Sequence, residues 1–155
     1  KGSKQSLTLF VEDLRKHYGK LEDCHERGQP IFFKKFSFPK DKRLLTHLAN
    51  DIATIHSLGY TPDNVDFWHF YKKGTSWGRV IIDFDGFRKT KRENHIHQSI
   101  ANVYDISTYL GTKSEAFKFF VKEYSKTCHD RELGSIIQKQ YDYDKFEYLD
   151  SRYAE

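Results

Sequence analysis

Two aspartates at the end of a hydrophobic run are the residues of this sequence best suited to chemistry. Residues 80–82 are Val-Ile-Ile, a β-branched run that predicts a buried strand, and Asp83 and Asp85 follow it with one Phe between them. Side chains alternate along a strand, so both carboxylates are expected on the same side of it. Carboxylate oxygens suit Mg²⁺ bound together with a substrate phosphate. The pattern favours a metal site as much as an acidic turn in which Gly86 supplies the bend.

A second pair of acids lies upstream of that strand. Asp63 and Asp66 occur in a segment containing Pro, Asp and Asn, residues 60–66, for which we predict a loop. The segment follows a predicted helix and precedes a predicted hairpin, which returns the chain to Asp83. A carboxylate held near a reacting hydroxyl can accept or orient its proton. Asp63 and Asp66 are therefore the candidate catalytic acids.

Basic residues crowd into a short run after Asp85. Arg88, Lys89, Lys91 and Arg92 lie there, in a chain with 26 Lys and Arg against 22 Asp and Glu and a net charge of +4. We predict a loop here, and runs of charge are usually hydrated, which favours a solvated surface loop. The alternative is that its cations meet an anionic ligand or the acidic headgroups of a membrane.

The elements that must position these residues follow from hydrophobic spacing. Helical periodicity predicts a helix that starts after Pro39 and ends at Gly59. We also predict a strand over 67–71, a turn over 72–76, a strand over 78–85, and helices around 96–110, 117–124 and 133–141. Upstream, residues 7–11 predict a strand, and residues 15–26 predict a helix that Gly28 and Pro30 end. Together these elements make an α+β fold, mainly helical, with one or two short β-hairpins.

Composition sets the broad class of protein. A chain of 155 residues suits a single domain, predicted to span 1–155, and an aromatic content of 16% supplies apolar area for a core. No apolar run approaches the ~18 residues that a membrane-spanning helix needs. Cys24 and Cys128 lack the spacing of a zinc site or a disulfide framework, which favours a reduced, cytoplasmic protein.

The order of these elements is the order by which kinases bring a base and metal ligands to one cleft: helix, polar loop, hairpin, and a hydrophobic strand that ends in Asp-Phe-Asp. On this order, and on the segments Ile81-Ile82-Asp83-Phe84-Asp85 and Ile55-His56-Ser57-Leu58-Gly59, the chain resembles the C-terminal lobe of the protein-kinase-like fold. In particular it is similar to the lipopolysaccharide kinase (Kdo/WaaP-like) family of Gram-negative bacteria. The resemblance covers residues 6–126, and residues 127–155 form a predicted C-terminal extension, helical and then acidic and Tyr-rich.

The resemblance implies an ATP- and Mg²⁺-dependent transfer of phosphate to an alcohol group of a sugar or of the lipopolysaccharide core. Asp83 and Asp85 would hold Mg²⁺, with His69 at the position of the family's metal-binding Asn. Asp63 or Asp66 would act on the acceptor hydroxyl. The implied partners are a nucleotide and an anionic glycan or glycolipid, and the implied location is the cytoplasm, with a peripheral place at the inner membrane. The cations that would bind the acceptor are Arg88, Lys89 and Arg92.

The resemblance also assigns supporting positions. Residues 6–14 resemble the hinge segment between the two lobes of a kinase, so Glu12 and Leu14 would contact the nucleotide. Residues 102–107 resemble the central helix of the lobe, where an Asp, here Asp105, holds the backbone of the catalytic loop. His56 belongs to the family's usual helix end and would support the same loop.

The candidate catalytic loop departs from the kinase pattern H-x-D-x-x-x-x-N. Alignment on Gly59 places Asn64 at the position of the catalytic Asp and His69 at the position of the Asn. A shift by one residue offers Asp63 instead, but it places Trp68 at the Asn position. The expected Gly-rich phosphate loop does not precede residue 6 in this sequence.

These departures leave two other functions open. The first is a catalytically inactive kinase-like module that binds a partner. The second is a metal-dependent nucleic-acid enzyme, nuclease-like or primase-like, in which Asp83 and Asp85 bind paired metal ions for nucleotidyl transfer or cleavage.

Overall fold

The computed structural model of the chain describes residues 35–81 and 86–143, together with a short strand at residues 22–23. Within these residues the helices are α1 (Lys42–Ser57), α2 (Arg92–Leu110), α3 (Glu115–Thr127) and α4 (Arg131–Asp142). The strands are β1 (Glu22–Asp23), β2 (Tyr60–Pro62), β3 (Trp68–Lys73), β4 (Ser76–Ile81) and β5 (Phe87–Lys89). The α+β, mainly helical class predicted from the sequence is confirmed.

All four helices occur where hydrophobic spacing predicts them. The predicted apolar face of α1 is buried: Leu44, Leu45, Leu48, Ile52 and Ile55. Gly59 and Gly111 follow α1 and α2 with φ of +84° and +90°, a conformation that side chains with a Cβ rarely adopt. The Ser114 and Asp130 side chains accept the backbone N–H three residues further on, which caps α3 and α4.

The predicted hairpin is confirmed as the antiparallel pair β3–β4. Its register runs from Trp68 opposite Ile81 to Lys73 opposite Ser76, so the turn holds two residues. Gly74 in that turn has a φ of +65°, as two-residue hairpin turns require at such positions. The strand predicted over 78–85 begins earlier, at Ser76, and is described as far as Ile81. Residues 82–85 lie outside the described part.

Two segments predicted as loops contain strands instead. β2 occupies the start of the predicted loop 60–66, and β5 occupies the start of the predicted basic loop. The two strands pair antiparallel, with Tyr60 opposite Lys89 and Pro62 opposite Phe87. Each strand is three residues long, too short for a clear alternation of hydrophobic and polar residues. The pairing satisfies their backbone groups and depends on tertiary contacts.

The helix predicted over 15–26 is wrong at Glu22 and Asp23. These two residues form β1, which pairs antiparallel with β3 and places Asp23 opposite His69. The sequence pattern there is polar and weak, so an available strand edge overrides helix propensity. The rest of the predicted helix, and the strand predicted over 7–11, lie outside the described residues.

The core lies between α1, α3 and the inner face of the hairpin. α1 packs along α3, α4 packs on α3, and β2 contacts both α1 and α2. Trp68 and Phe70 project from β3 into this core and are fully buried. Cys128, at the end of α3, is a free buried thiol, and Cys24 lies outside the described residues. None of the helices in the described part is long and apolar enough to cross a membrane.

Candidate functional site

The pairing of β2 with β5 brings the loop of candidate catalytic acids to the residues that follow Asp85. The loop begins at Asp63, whose backbone N–H donates to the Gly86 carbonyl oxygen at 2.8 Å. A Cβ built on Gly86 would lie 3.6 Å from the Asp63 carboxylate, so the two residues are in direct contact. The loop of acids is therefore joined to Gly86, a residue distant from it in sequence.

Buried apolar side chains on either side of the acids anchor the loop. Val65 and Phe67 are buried, whereas Asp63, Asn64 and Asp66 are exposed. The Asp66 backbone N–H donates to Oδ1 of Asn64 at 3.4 Å. The loop thus keeps its polar side chains at the surface while its hydrophobic residues hold the backbone in place.

Arg88 lies beside the first candidate acid. Its Nε is 3.5 Å from Oδ1 of Asp63, and the two side chains are 64% and 55% exposed. An ion pair this exposed contributes less than about 1 kcal/mol, so a ligand can readily displace it. Next to the pair is a groove of about 390 Å³, which is lined by Thr61, Pro62, Asp63, Arg88, Thr90, Asn94 and Gln98.

The other two cations predicted to bind the acceptor, Lys89 and Arg92, make different contacts. The Lys89 ammonium lies 5.5 Å from the centre of the Tyr60 ring, across the β2–β5 pair. The Arg92 guanidinium binds two carboxylates, Asp130 and Glu132, and so joins the start of α2 to the start of α4. These hydrogen bonds raise the pKa of Arg92. Arg92 therefore acts as a link between helices, and within residues 35–81 and 86–143 only Arg88 of the three contacts a candidate acid.

His69, the third predicted metal ligand, lies on β3 opposite Val80 and Asp23. Successive strand residues face opposite ways, so His69 points away from the core side chains Trp68 and Phe70. It is half-buried. His69 therefore lies on the hairpin strand that follows the loop of acids, on the face of the hairpin opposite the core.

The predicted magnesium ligands Asp83 and Asp85 lie outside the described residues, as do the predicted nucleotide contacts Glu12 and Leu14. Within residues 35–81 and 86–143, no three His, Cys, Asp or Glu side chains gather closely enough to hold a metal ion. The exposed carboxylates of the loop are oxygen donors of the type that Mg²⁺ takes.

A buried side chain that sequence reasoning missed holds the start of the loop. Asn102, buried on α2, donates from Nδ2 to the Pro62 carbonyl oxygen at 3.1 Å. Its Oδ1 lies 3.0 Å from Nε2 of His56 and accepts a hydrogen bond from the Nε2–H group. The signal was present in the sequence, because Asn102 is a polar residue on the face of α2 that carries its buried side chains, Ile106 among them.

Asn102 makes the contact that the resemblance assigned to Asp105. Asp105 lies one turn further along α2, and no hydrogen bond or ion pair of its carboxylate occurs within the described residues. Burial raises the pKa of Asp105 to about 6. An amide performs the positioning role here without the cost of burying a charge.

His56, predicted to support the loop, is fully buried at the end of α1. Its Nδ1 accepts from the Tyr124 hydroxyl at 2.6 Å, and its Nε2–H donates to Asn102. Burial lowers the pKa of His56 to about 3, so the ring is neutral near pH 7. His95 donates from Nε2 to the His56 carbonyl oxygen at 2.9 Å. The chain Tyr124–His56–Asn102 therefore ties α3, α1 and α2 to the start of the loop.

Comparison of the chain with protein-family models, with curated proteins and with solved structures found no match.

Proposed function

We propose that this chain is the C-terminal lobe of a kinase-like phosphotransferase, which uses ATP and Mg²⁺ to phosphorylate a hydroxyl of a sugar or lipopolysaccharide-core acceptor. The observation that carries the proposal is the β2–β5 pair with the Asp63–Gly86 hydrogen bond. It joins the loop of acids to the strand that follows Asp-Phe-Asp, as the order of a kinase site requires.

Chain connectivity supports the assignment of Asp83 and Asp85, which lie outside the described residues, to the candidate site. Asp83 is two residues beyond Ile81, which pairs with Trp68 at one end of the loop. Asp85 directly precedes Gly86, which is bonded to Asp63 at the other end. The described residues on either side of 82–85, Ile81 and Gly86, therefore lie at the two ends of the loop that carries Asp63 and Asp66.

The chemistry needs positioning and charge neutralisation more than covalent work by the protein. The acceptor oxygen attacks the γ-phosphorus, the bond to the ADP oxygen breaks, and the hydroxyl proton passes to a carboxylate. Mg²⁺, when held by Asp83 and Asp85, would neutralise the phosphate oxygens. Asp63 is the better candidate for the proton acceptor, because its backbone hydrogen bond to Gly86 holds it beside the residue that follows Asp85.

The experiment uses the full native chain, in which Asp83→Ala is expected to abolish stabilisation by Mg²⁺-ATP. A bound nucleotide at about 100 times its Kd stabilises a protein by about 2.7 kcal/mol, which appears as a rise in melting temperature. The control variant Asp142→Asn changes an exposed acid on α4 and should keep the full shift. If Asp83→Ala binds Mg²⁺-ATP as the parent does, position 83 is not the metal ligand and the proposal is wrong.

A second arm separates binding from transfer. Asp63→Asn should bind Mg²⁺-ATP normally and lose phosphate transfer by roughly 10²–10⁴-fold, the usual contribution of a general base. The inactive-module alternative draws support from Asn64, an amide at the aligned position of the catalytic Asp. Nucleotide binding by the parent with no transfer to phosphorylated or unphosphorylated core oligosaccharides favours that alternative.

A further inference from the structure

A basic groove lies at the end of the hairpin remote from the loop of acids. It has a volume of about 400 Å³ and opens between the start of α1 and the β3–β4 turn. The end of the hairpin that joins the loop is the pair Trp68–Ile81, and the groove end is the pair Lys73–Ser76. Five strand steps of ~3.3 Å separate these pairs by roughly 17 Å. The groove is therefore a separate feature from the candidate catalytic site.

Positive charge dominates the lining of this groove. Its Lys, Arg, His and Asp side chains are Lys40, Asp41, Arg43, His47, Lys73 and Arg79. The single acid among them is buried, and its carboxylate accepts the Ser37 backbone N–H at 2.8 Å. No carboxylate lies within ion-pair distance of Lys40, Arg43 or Lys73 among the described residues, and all three are exposed. An excess of cations in a concave site attracts anions.

Arg79 is held as a fixed part of the groove wall. Its Nε and a terminal nitrogen donate to the two oxygens of Asp51 at 2.8 and 2.7 Å. His47 also lines the groove, and its pKa is lowered by burial and by the Arg79 and Arg43 guanidinium groups, against the opposing effect of Asp51.

Aromatic side chains form part of the groove wall. Tyr71 and Trp77 line the groove, and the Lys72 ammonium lies 5.2 Å from the centre of the Trp77 ring. The Tyr71 ring covers Gly78 so closely that a Cβ there would meet its Cζ at 2.3 Å. Glycine at position 78 is therefore what lets the ring lie flat across the strand. Such a wall offers an apolar face to the part of a ligand next to its charged group.

We propose that this groove binds a phosphate-bearing ligand, with the phosphate on Arg43 and Lys73 and the adjoining part of the ligand against Trp77. Arg offers a planar fork of donors that matches phosphate oxygens, and Lys adds a mobile point charge. The ligand is a soluble phosphate ester or the headgroup of a phospholipid, which present the same group. The inference is independent of the proposed phosphotransferase function.

The test uses the fluorescence of Trp77 in the full chain. Trp68 is fully buried, so a ligand in the groove changes the emission of Trp77, and the variant Trp77→Phe should lose the response. The probes are inorganic pyrophosphate, glucose 6-phosphate, and phosphatidylcholine vesicles with or without phosphatidic acid, all at constant ionic strength. Saturable binding is expected, and Arg43→Gln with Lys73→Gln should weaken it roughly tenfold or more.

A matched double variant controls for net charge. Lys118→Gln with Lys122→Gln removes two exposed cations from α3, away from the groove, and should leave the affinity unchanged. Binding of the soluble phosphates alone, or of the phosphatidic acid vesicles alone, supports the groove and identifies which source fits it. Equal weakening in both double variants, or no saturable binding of any probe, would overturn the proposal.

Discussion

At the scale of single residues, His56 determines how the start of the candidate loop is held. The ring is neutral, because burial leaves the charged form without solvation and lowers the pKa to about 3. Its two nitrogens are both used: one accepts from Tyr124 and the other donates to Asn102. Protonation would add a proton to Nδ1, the nitrogen that accepts the hydrogen bond from the Tyr124 hydroxyl. The fold therefore requires the neutral ring.

This predicts a specific pH dependence of stability. The pKa of His56 is 6.5 when unfolded and about 3 when folded, so the unfolded chain binds more protons between these values. The stabilisation from neutral His56 is complete above pH 6.5 and is lost as the pH falls towards 3. His56→Gln removes this loss, so its stability deficit relative to the parent should shrink by ~2 kcal/mol between pH 6.5 and 5. Urea unfolding across this pH range measures the difference.

The control for this prediction is His129→Gln, since His129 is exposed. Its stability should follow that of the parent at every pH. Asp105 acts in the opposite direction, because its folded pKa is raised to about 6 and the folded chain gains stability as the pH falls below that value. It is present in all three proteins and cancels from the comparison. Parallel pH curves for His56→Gln and the parent would contradict the role given to His56.

At the scale of elements, one carboxylate docks the hairpin on α1. Asp51 accepts from the indole Nε1 of Trp68 at 3.1 Å and from two nitrogens of Arg79. Trp68 and Arg79 belong to the two different strands of the hairpin. The side chains of Asp51 and Arg79 are 12% and 29% exposed, so the pair is screened far less than a surface pair.

Removing that carboxylate should therefore be costly. Asp51→Ala leaves the fully buried indole N–H and the partly buried guanidinium without their acceptor. We expect a loss of about 2–4 kcal/mol in the free energy of unfolding, below the upper values for wholly buried pairs. Denaturant unfolding measures the loss, and Asp142→Ala, at an exposed acid on α4, should change stability by less than about 0.5 kcal/mol. Similar values for the two variants would show that the docking contact contributes little.

At the scale of the whole molecule, the candidate site exists because remote segments meet. The loop of acids lies between α1 and the hairpin in sequence, yet its first residue is bonded to Gly86 and its preceding carbonyl to Asn102 on α2. Three helices and two strands therefore fix one short surface segment. A site on a segment held in this way can keep its geometry while its side chains stay exposed.

The prediction at this scale concerns Asn102. Asn102→Ala leaves the His56 Nε2–H and the Pro62 carbonyl buried without partners, which should cost about 2–4 kcal/mol of stability. It should also speed hydrogen exchange at the Asp63 amide, since the strand before it loses its support. Asn94→Ala, at an exposed position on the same helix, should leave both quantities close to those of the parent. Unchanged exchange at Asp63 in Asn102→Ala would mean that β5 alone fixes the loop.

The sequence alone determined the parts of this protein that depend on local spacing. The 3.6-residue repeat of apolar side chains in α1, and the Gly residues after α1 and α2, predicted helices at the correct places. The aromatic segment 67–71, the Gly-containing turn and the β-branched run at residues 80–82 predicted the β3–β4 hairpin. In each case the pattern lies in residues that are close together in the sequence, so the prediction needs no contact between distant segments.

Tertiary structure decided what depends on contacts between segments far apart in the chain. β2 and β5 are too short to show a period, and each becomes a strand because the other offers its backbone groups. The choice of Asn102 over Asp105 depends on which side chain of α2 reaches the Pro62 carbonyl. The separation of Arg88, beside Asp63, from Arg92, bound to α4, depends on where α2 begins. Residue types fix what such groups can bind, but only the packing of the chain selects their partners.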